Sequence, residues 1–222
     1  MAYEQHRYTV PDDAVEVVLV RHGATQAAEE GRSFELLDGH GNPPLAERGR
    51  VQADLVGARL AAGDPIDLIF TSDLRRTLET ARPLVDKTGL EPRQLPSLRE
   101  VHLGDWEGGE FRVRMHHRDP VALRVLAEQR WDVIPGGEPA ESFTARVREG
   151  FDEIVAATGP GRRAVAFLHG AVIGEICRQV TGSAPFAFLN SENTSITRIV
   201  VSAEGTYRLR DFNVTTHLDG TV

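Results

Sequence analysis

Val15-Glu-Val-Val-Leu-Val-Arg21-His22-Gly23-Ala-Thr25 decides the reading of this chain. The run Val15 to Val20 is short and rich in β-branched residues. That pattern suits a strand buried on both faces, as in a parallel sheet. It stops at Arg21-His22-Gly23, where a glycine lets backbone approach a ligand closely. A second strand with the same ending lies far downstream: Ala164 to Leu168 runs into His169-Gly170. In parallel sheets ligands sit beyond the carboxyl ends of the strands, so both His-Gly pairs are expected at one edge.

Working outward, residues 31–44 hold three glycines and two prolines and read as a long loop. A helix is expected from about Ala46 to Ala62, with Val51, Leu55 and Ala58 on one face. Ile66 to Phe70 is the next strand. A helix follows it, capped by Ser72 or Asp73, striped by Leu74, Leu78, Ala81 and Val85, and ended by Gly89. A short strand near residues 92–95 should leave Glu100 at its end. Residues 110–137 are rich in charge, His and Trp, and are expected as a helical cap insertion packed over the sheet. Phe143, Val147, Phe151 and Ile154 mark an amphipathic helix, and another helix runs from about Ala171 to Val180. Two strands near 195–201 and 207–212, joined by a turn at Glu204-Gly205, close the chain. The alternation of strands and helices predicts one domain over residues 1–222, a three-layer α/β/α sandwich around a mostly parallel sheet.

Composition narrows the function. The net charge of −8 argues against nucleic acid as a partner. It also means that an anionic substrate must be held by local positive charge. The single cysteine, Cys177, excludes an intramolecular disulfide, and its apolar neighbours make it a core thiol. No stretch is long and apolar enough to span a membrane, and the amino terminus lacks a secretory signal, so a cytoplasmic location is the expectation.

The chemistry-bearing residues fit phosphoryl transfer. An unprotonated histidine nitrogen can attack phosphorus. The three phosphoryl oxygens then need cationic donors, and arginine's planar fork binds two oxygens at once. Arg21 and Arg76 stand at the ligand-binding edge. A carboxyl must protonate the leaving group; Glu100 is the candidate, with Asp105 and Glu107 as rivals.

These motifs resemble those of the histidine phosphatase, or phosphoglycerate mutase-like, superfamily. The family's opening motif matches Arg21-His22-Gly23-Ala24-Thr25, with Ala24 where Glu is frequent. Pro44 to Ala53, Ser72 to Ala81, Glu100 to Gly108, His169-Gly170 and Asn193-Thr-Ser195 match further segments. Asn42 stands where Asp is usual, and Ala28 where Asn is frequent.

The resemblance implies that His22 becomes phosphohistidine, that Arg21, Arg76 and His169 hold the phosphate, and that Glu100 is the general acid and base. It implies no metal and no cofactor. Thr25, Gly170 and Gly39 join Arg21, Arg76 and His169 as expected substrate contacts. The partner implied is a small phosphorylated metabolite, with homodimer formation left open. The Glu100 segment favours a phosphatase over a cofactor-dependent phosphoglycerate mutase; a non-catalytic phospholigand-binding protein is the third reading. Arg112, Arg114, His116, His117 and Arg118 form a basic cluster expected to face the site from the cap.

Overall fold

The computed structural model describes residues 3–4 and 8–220. In chain order the strands and helices are β1 (Val15–Arg21), a small hairpin of β2 (Leu36–Leu37) and β3 (His40–Gly41), α1 (Glu47–Ala61), β4 (Leu68–Thr71), α2 (Arg75–Thr88), β5 (Arg93–Gln94), α3 (Glu110–His116), α4 (Pro120–Glu128), α5 (Ala140–Thr158), β6 (Arg163–Leu168), α6 (Gly170–Thr181), β7 (Ile196–Val201) and β8 (Tyr207–Val214). Among the described residues the main sheet runs β5-β4-β6-β1-β7-β8. The pairs β5·β4, β4·β6 and β6·β1 are parallel, while β7 and β8 add an antiparallel edge.

Alternation along β1 builds the two outer layers, because successive side chains leave a strand on opposite faces. Val15, Val17 and Leu19 join a core with α5, α6 and residues Ala122, Val125 and Trp131 of the expected cap. Val18 and Val20 join the other core, with Val56 and Leu60 of α1 and Ala81 and Leu84 of α2. The predicted three-layer sandwich is therefore present. The stripe of α5 is also as expected, with Phe143, Val147, Phe151 and Ile154 all buried. Cys177 is buried, and that burial pushes its thiol up to about 12.

Four expectations change. The inner face of α1 is Gly49, Gln52, Ala53, Val56, Gly57 and Leu60, whereas Val51 is 43% exposed and Ala58 is also outside. Close packing selects this face: a Cβ on Gly57 would stand 2.9 Å from Cβ of Pro83 in α2. Neither Ser72 nor Asp73 caps α2; its N-cap residue is Leu74, with no side-chain cap bond. Ser72 is occupied elsewhere, by His169. Glu100 follows a 3₁₀ turn (Pro96–Leu98) rather than a strand. The long loop contains the β2·β3 hairpin, paired Leu36 with Gly41 and Leu37 with His40.

Candidate active site

Parallel pairing of β1 with β6 sets Arg21 opposite Leu168. The next residue of each strand is a histidine, and the two rings meet at 5.3 Å between centroids. Both imidazoles are buried, His22 at 6% exposure and His169 at 0%. Burial holds both well below the usual 6.5, reinforced first by the positive charge of Arg76. Each ring is therefore neutral at pH 7 and carries one proton.

The hydrogen bonds fix where each proton sits. Nδ1 of His22 lies 2.8 Å from the Gly23 carbonyl, which only accepts. The proton of His22 is therefore on Nδ1, and its Nε2 keeps a lone pair. Asn193 also donates to the His22 carbonyl at 2.8 Å. In His169, Nδ1 accepts from Nε of Arg76 at 3.2 Å, so the proton is on Nε2 and is donated to Ser72 Oγ at 2.8 Å. Ser72 Oγ in turn lies 3.0 Å from Thr77 Oγ1.

Backbone around His22 is held by close approach. Gly23 N–H donates to Thr80 Oγ1 at 3.0 Å, and Ala24 N–H to Gln52 Oε1 at 2.9 Å. A Cβ on Gly23 would come within 2.5 Å of the Gly49 carbonyl oxygen, so the loop after β1 can lie on α1 only with glycine there.

A cavity of about 330 Å³ opens over this edge, and Arg21, His22, Arg76, Glu100 and Gly170 all line it. Arg21 donates to the Ser191 carbonyl, while its buried Nε has no partner among the described residues. Arg76 donates from Nη1 to the Gly41 carbonyl at 2.7 Å. Burial pulls Arg76 down to about 10 and also lowers Arg21, with Glu100 opposing both shifts. Helix α6 begins at Gly170, beside the two arginines. Such helix N-termini present free N–H groups and the positive end of the dipole to anions. Glu100 accepts from Val101 N–H at 3.0 Å and from Ala171 N–H at 3.3 Å. Arg146 donates to the Glu100 carbonyl at 3.0 Å and so fixes its backbone.

The structure thus brings Arg21, His22, Arg76, Glu100 and Gly170 together in the lining, whereas His169, expected to hold phosphate, is fully buried outside the lining with its two ring nitrogens bonded to Arg76 and Ser72. Gly39 and Thr25 are placed differently. Gly39 sits outside the cavity lining, where a Cβ on it would face the His102 ring at 3.2 Å. The lining glycine is Gly41, two residues on, because β3 turns its backbone toward Arg76 and Glu107. Thr25 is not in the lining either; its hydroxyl accepts from Arg112 at 2.7 Å. Glu107 is committed elsewhere, accepting from Gly41 N–H at 2.7 Å and from Leu103 N–H at 2.9 Å.

The basic cluster divides. Only Arg112 of the five reaches the cavity, held by Thr25 and by the Gln26 carbonyl at 3.0 Å. Burial and the charge of Arg21 lower its pKa. Arg114 pairs with Glu110 and Asp119, and His117 with Glu30. Ser72 and Gln52 are site residues that spacing alone did not select, whereas Arg112 belongs to the basic cluster expected over the site. Ser72 opens the motif that carries Arg76, which was the available signal. Among the described residues no group of His, Cys, Asp and Glu could hold a metal ion, and no helix is long and apolar enough to cross a membrane.

Known proteins resemble this chain in sequence and in fold. The chain is 35% identical over 185 residues to phosphoglycerate mutase-like protein 4 of Arabidopsis thaliana, covering 82% of this chain and 78% of that one. It is 35% identical over 167 residues to glucosyl-3-phosphoglycerate phosphatase of Mycobacterium tuberculosis, covering 72% of each. The mycobacterial glucosyl-3-phosphoglycerate phosphatase solved with inorganic phosphate superposes with a TM-score of 0.71 at 30% identity, over 91% of this chain and 98% of that one. A phosphoglycerate mutase from Bacillus anthracis shares the fold, with a TM-score of 0.78 at 24% identity over 93% and 96% of the two chains. Residues 17–215 match the histidine phosphatase superfamily (branch 1), and the chain belongs to that family.

Proposed function

We propose that this chain is a metal-independent phosphatase that hydrolyses small phosphomonoesters through a phosphohistidine at His22. The observation that carries the reading is the neutral His22, with its proton fixed on Nδ1, set in one cavity with Arg21, Arg76, Glu100 and the start of α6. Phosphatases among its relatives support it, including one solved with inorganic phosphate.

In this reaction the Nε2 lone pair of His22 attacks phosphorus as the bond to the ester oxygen breaks. Glu100 gives its proton to the departing alkoxide. Charge building on the three phosphoryl oxygens is met by Arg21, Arg76 and the first N–H groups of α6. His169 is oriented by Ser72 so that it supports Arg76. Glu100, now a carboxylate, takes a proton from water. That water attacks the phosphohistidine, the P–N bond breaks, and inorganic phosphate leaves.

The experiment is phosphate release from a panel of phosphomonoesters by the parent chain and by His22→Ala. Release that disappears in the variant, with its circular dichroism unchanged, is the expected result; equal release by both would sink the mechanism. Conversion of 3-phosphoglycerate to its 2-isomer without phosphate release would make the protein a mutase instead. Glu100→Gln is expected to slow alkyl esters far more than activated aryl phosphates, which need little protonation. Equal losses would move the acid to another group.

A further inference from the structure

Beyond the phosphate-binding end, the cavity changes character. Its outer wall is made by Phe34, Phe111, Met115, Leu126, Trp131 and Leu189. Phe111 stands edge-on to Trp131 at 5.9 Å, and Trp131 packs on Phe186 at 4.8 Å, so the aromatic wall is braced from behind. Leu126 is 41% exposed, large for an apolar side chain on a pocket wall.

The charges point the same way. The arginines lining the cavity are Arg21, Arg76 and Arg112. Arg112 is pinned through Nη1 to the Gln26 carbonyl and through Nη2 to Thr25 Oγ1, and burial and the charge of Arg21 lower its pKa. Arg114 and His117 of the cap lie outside the lining, Arg114 paired with Glu110 and Asp119 and His117 bonded to Glu30. The carboxylates of Glu100 and Glu107 also line the cavity. An acidic leaving group would meet these two carboxyl groups and, among the arginines, only Arg21, Arg76 and Arg112. His40, the remaining basic lining residue, is held below its usual range by burial and is neutral at pH 7.

Resting on the phosphatase reading, we propose that the substrate is a monophosphate ester of an uncharged, apolar alcohol, branched-alkyl or arylalkyl, rather than of an acidic metabolite such as a phosphoglycerate. The alcohol lies on the wall of Phe111, Leu126 and Trp131. The cavity volume, about 330 Å³, is at the small end of ligand pockets, so the alcohol is one ring or a short chain.

The test compares kcat/KM for 3-methylbutyl phosphate and 2-phenylethyl phosphate with that for glycerol 3-phosphate and 3-phosphoglycerate. All four leave as alkoxides of similar basicity, so differences report recognition of the alcohol. The apolar esters are expected to lead by roughly tenfold or more, as burial of two or three methylene groups would give. Leu126→Lys, at a partly exposed position that tolerates it, is expected to narrow that ratio by about tenfold while the inhibition constant of inorganic phosphate stays within about twofold. 3-Phosphoglycerate turned over as well as the apolar esters would overturn this proposal and leave the phosphatase reading standing. A ratio unmoved by Leu126→Lys would overturn it as well. Absence of any His22-dependent hydrolysis would overturn both.

Discussion

His22 and His169 touch, yet they carry their protons on opposite nitrogens. The cause is the partner of each ring: a carbonyl that can only accept faces Nδ1 of His22, and a guanidinium that can only donate faces Nδ1 of His169. Their protonation has a consequence for stability. Unfolded, both titrate near the ordinary 6.5; folded, burial and Arg76 hold both well below it. Below pH 6.5 the unfolded chain therefore takes up protons that the folded chain refuses, and stability falls as pH drops toward the folded values. Urea midpoints measured from pH 7.5 to 5.5 should fall less steeply for His22→Gln than for the parent. Identical slopes would mean that His22 is not buried as a neutral ring. At this scale the sequence showed which histidines matter, because each ends a β-rich run and precedes glycine. It did not show Ser72 as the partner of His169, a contact across 97 positions, nor that Thr25 would be taken by Arg112.

At the scale of elements, α1 shows where periodicity misleads. Val51, Leu55 and Ala58 fall on a plausible apolar stripe, but the helix turns Gly49, Gln52 and Gly57 inward. Backbone proximity decides: the loop after His22 lies directly on α1, and a Cβ on Gly49 would stand 1.9 Å from the Ala24 carbonyl oxygen. Gln52 is inside because its side chain accepts from Ala24 N–H. Gly49→Ala should therefore cost about 1–3 kcal/mol of stability, since the backbone must move apart. It should also lower kcat, because the displaced segment begins at His22. Denaturant titration and turnover on the same preparation check both; full activity with unchanged stability would show that the contact is slack. By contrast α5 was legible from periodicity alone, because its one close approach, Gly150 against Leu98, falls on the same face as its large buried side chains. The two cap helices were visible only as a charged, aromatic stretch, since α3 is short and no residue of it is buried.

For the whole molecule, the sheet was the most legible feature. Strands of Val, Ile and Leu with intervening helices leave few alternatives to a covered parallel sheet, and β7 and β8 declared themselves as a hairpin through the turn at Gly205. A core this continuous has a predictable weakness. Phe167 is fully buried beneath α1 and α2, in the strand that delivers His169. Phe167→Ala should cost about 3–5 kcal/mol, a large part of the ~5–15 kcal/mol typical of a domain. A thermal melt against the parent measures it, and a loss under about 1 kcal/mol would contradict the packing described.

The order of the strands also sets a timetable. β1 is made early, but both of its sheet neighbours, β6 and β7, come from the last third of the chain. His22 therefore leaves the ribosome long before the strand that carries His169 exists to pair with it. Contacts so distant in sequence form late and slowly. On refolding, helical signal should return first, and the capacity to take up a phosphoryl group should appear only when the central pair of strands has closed.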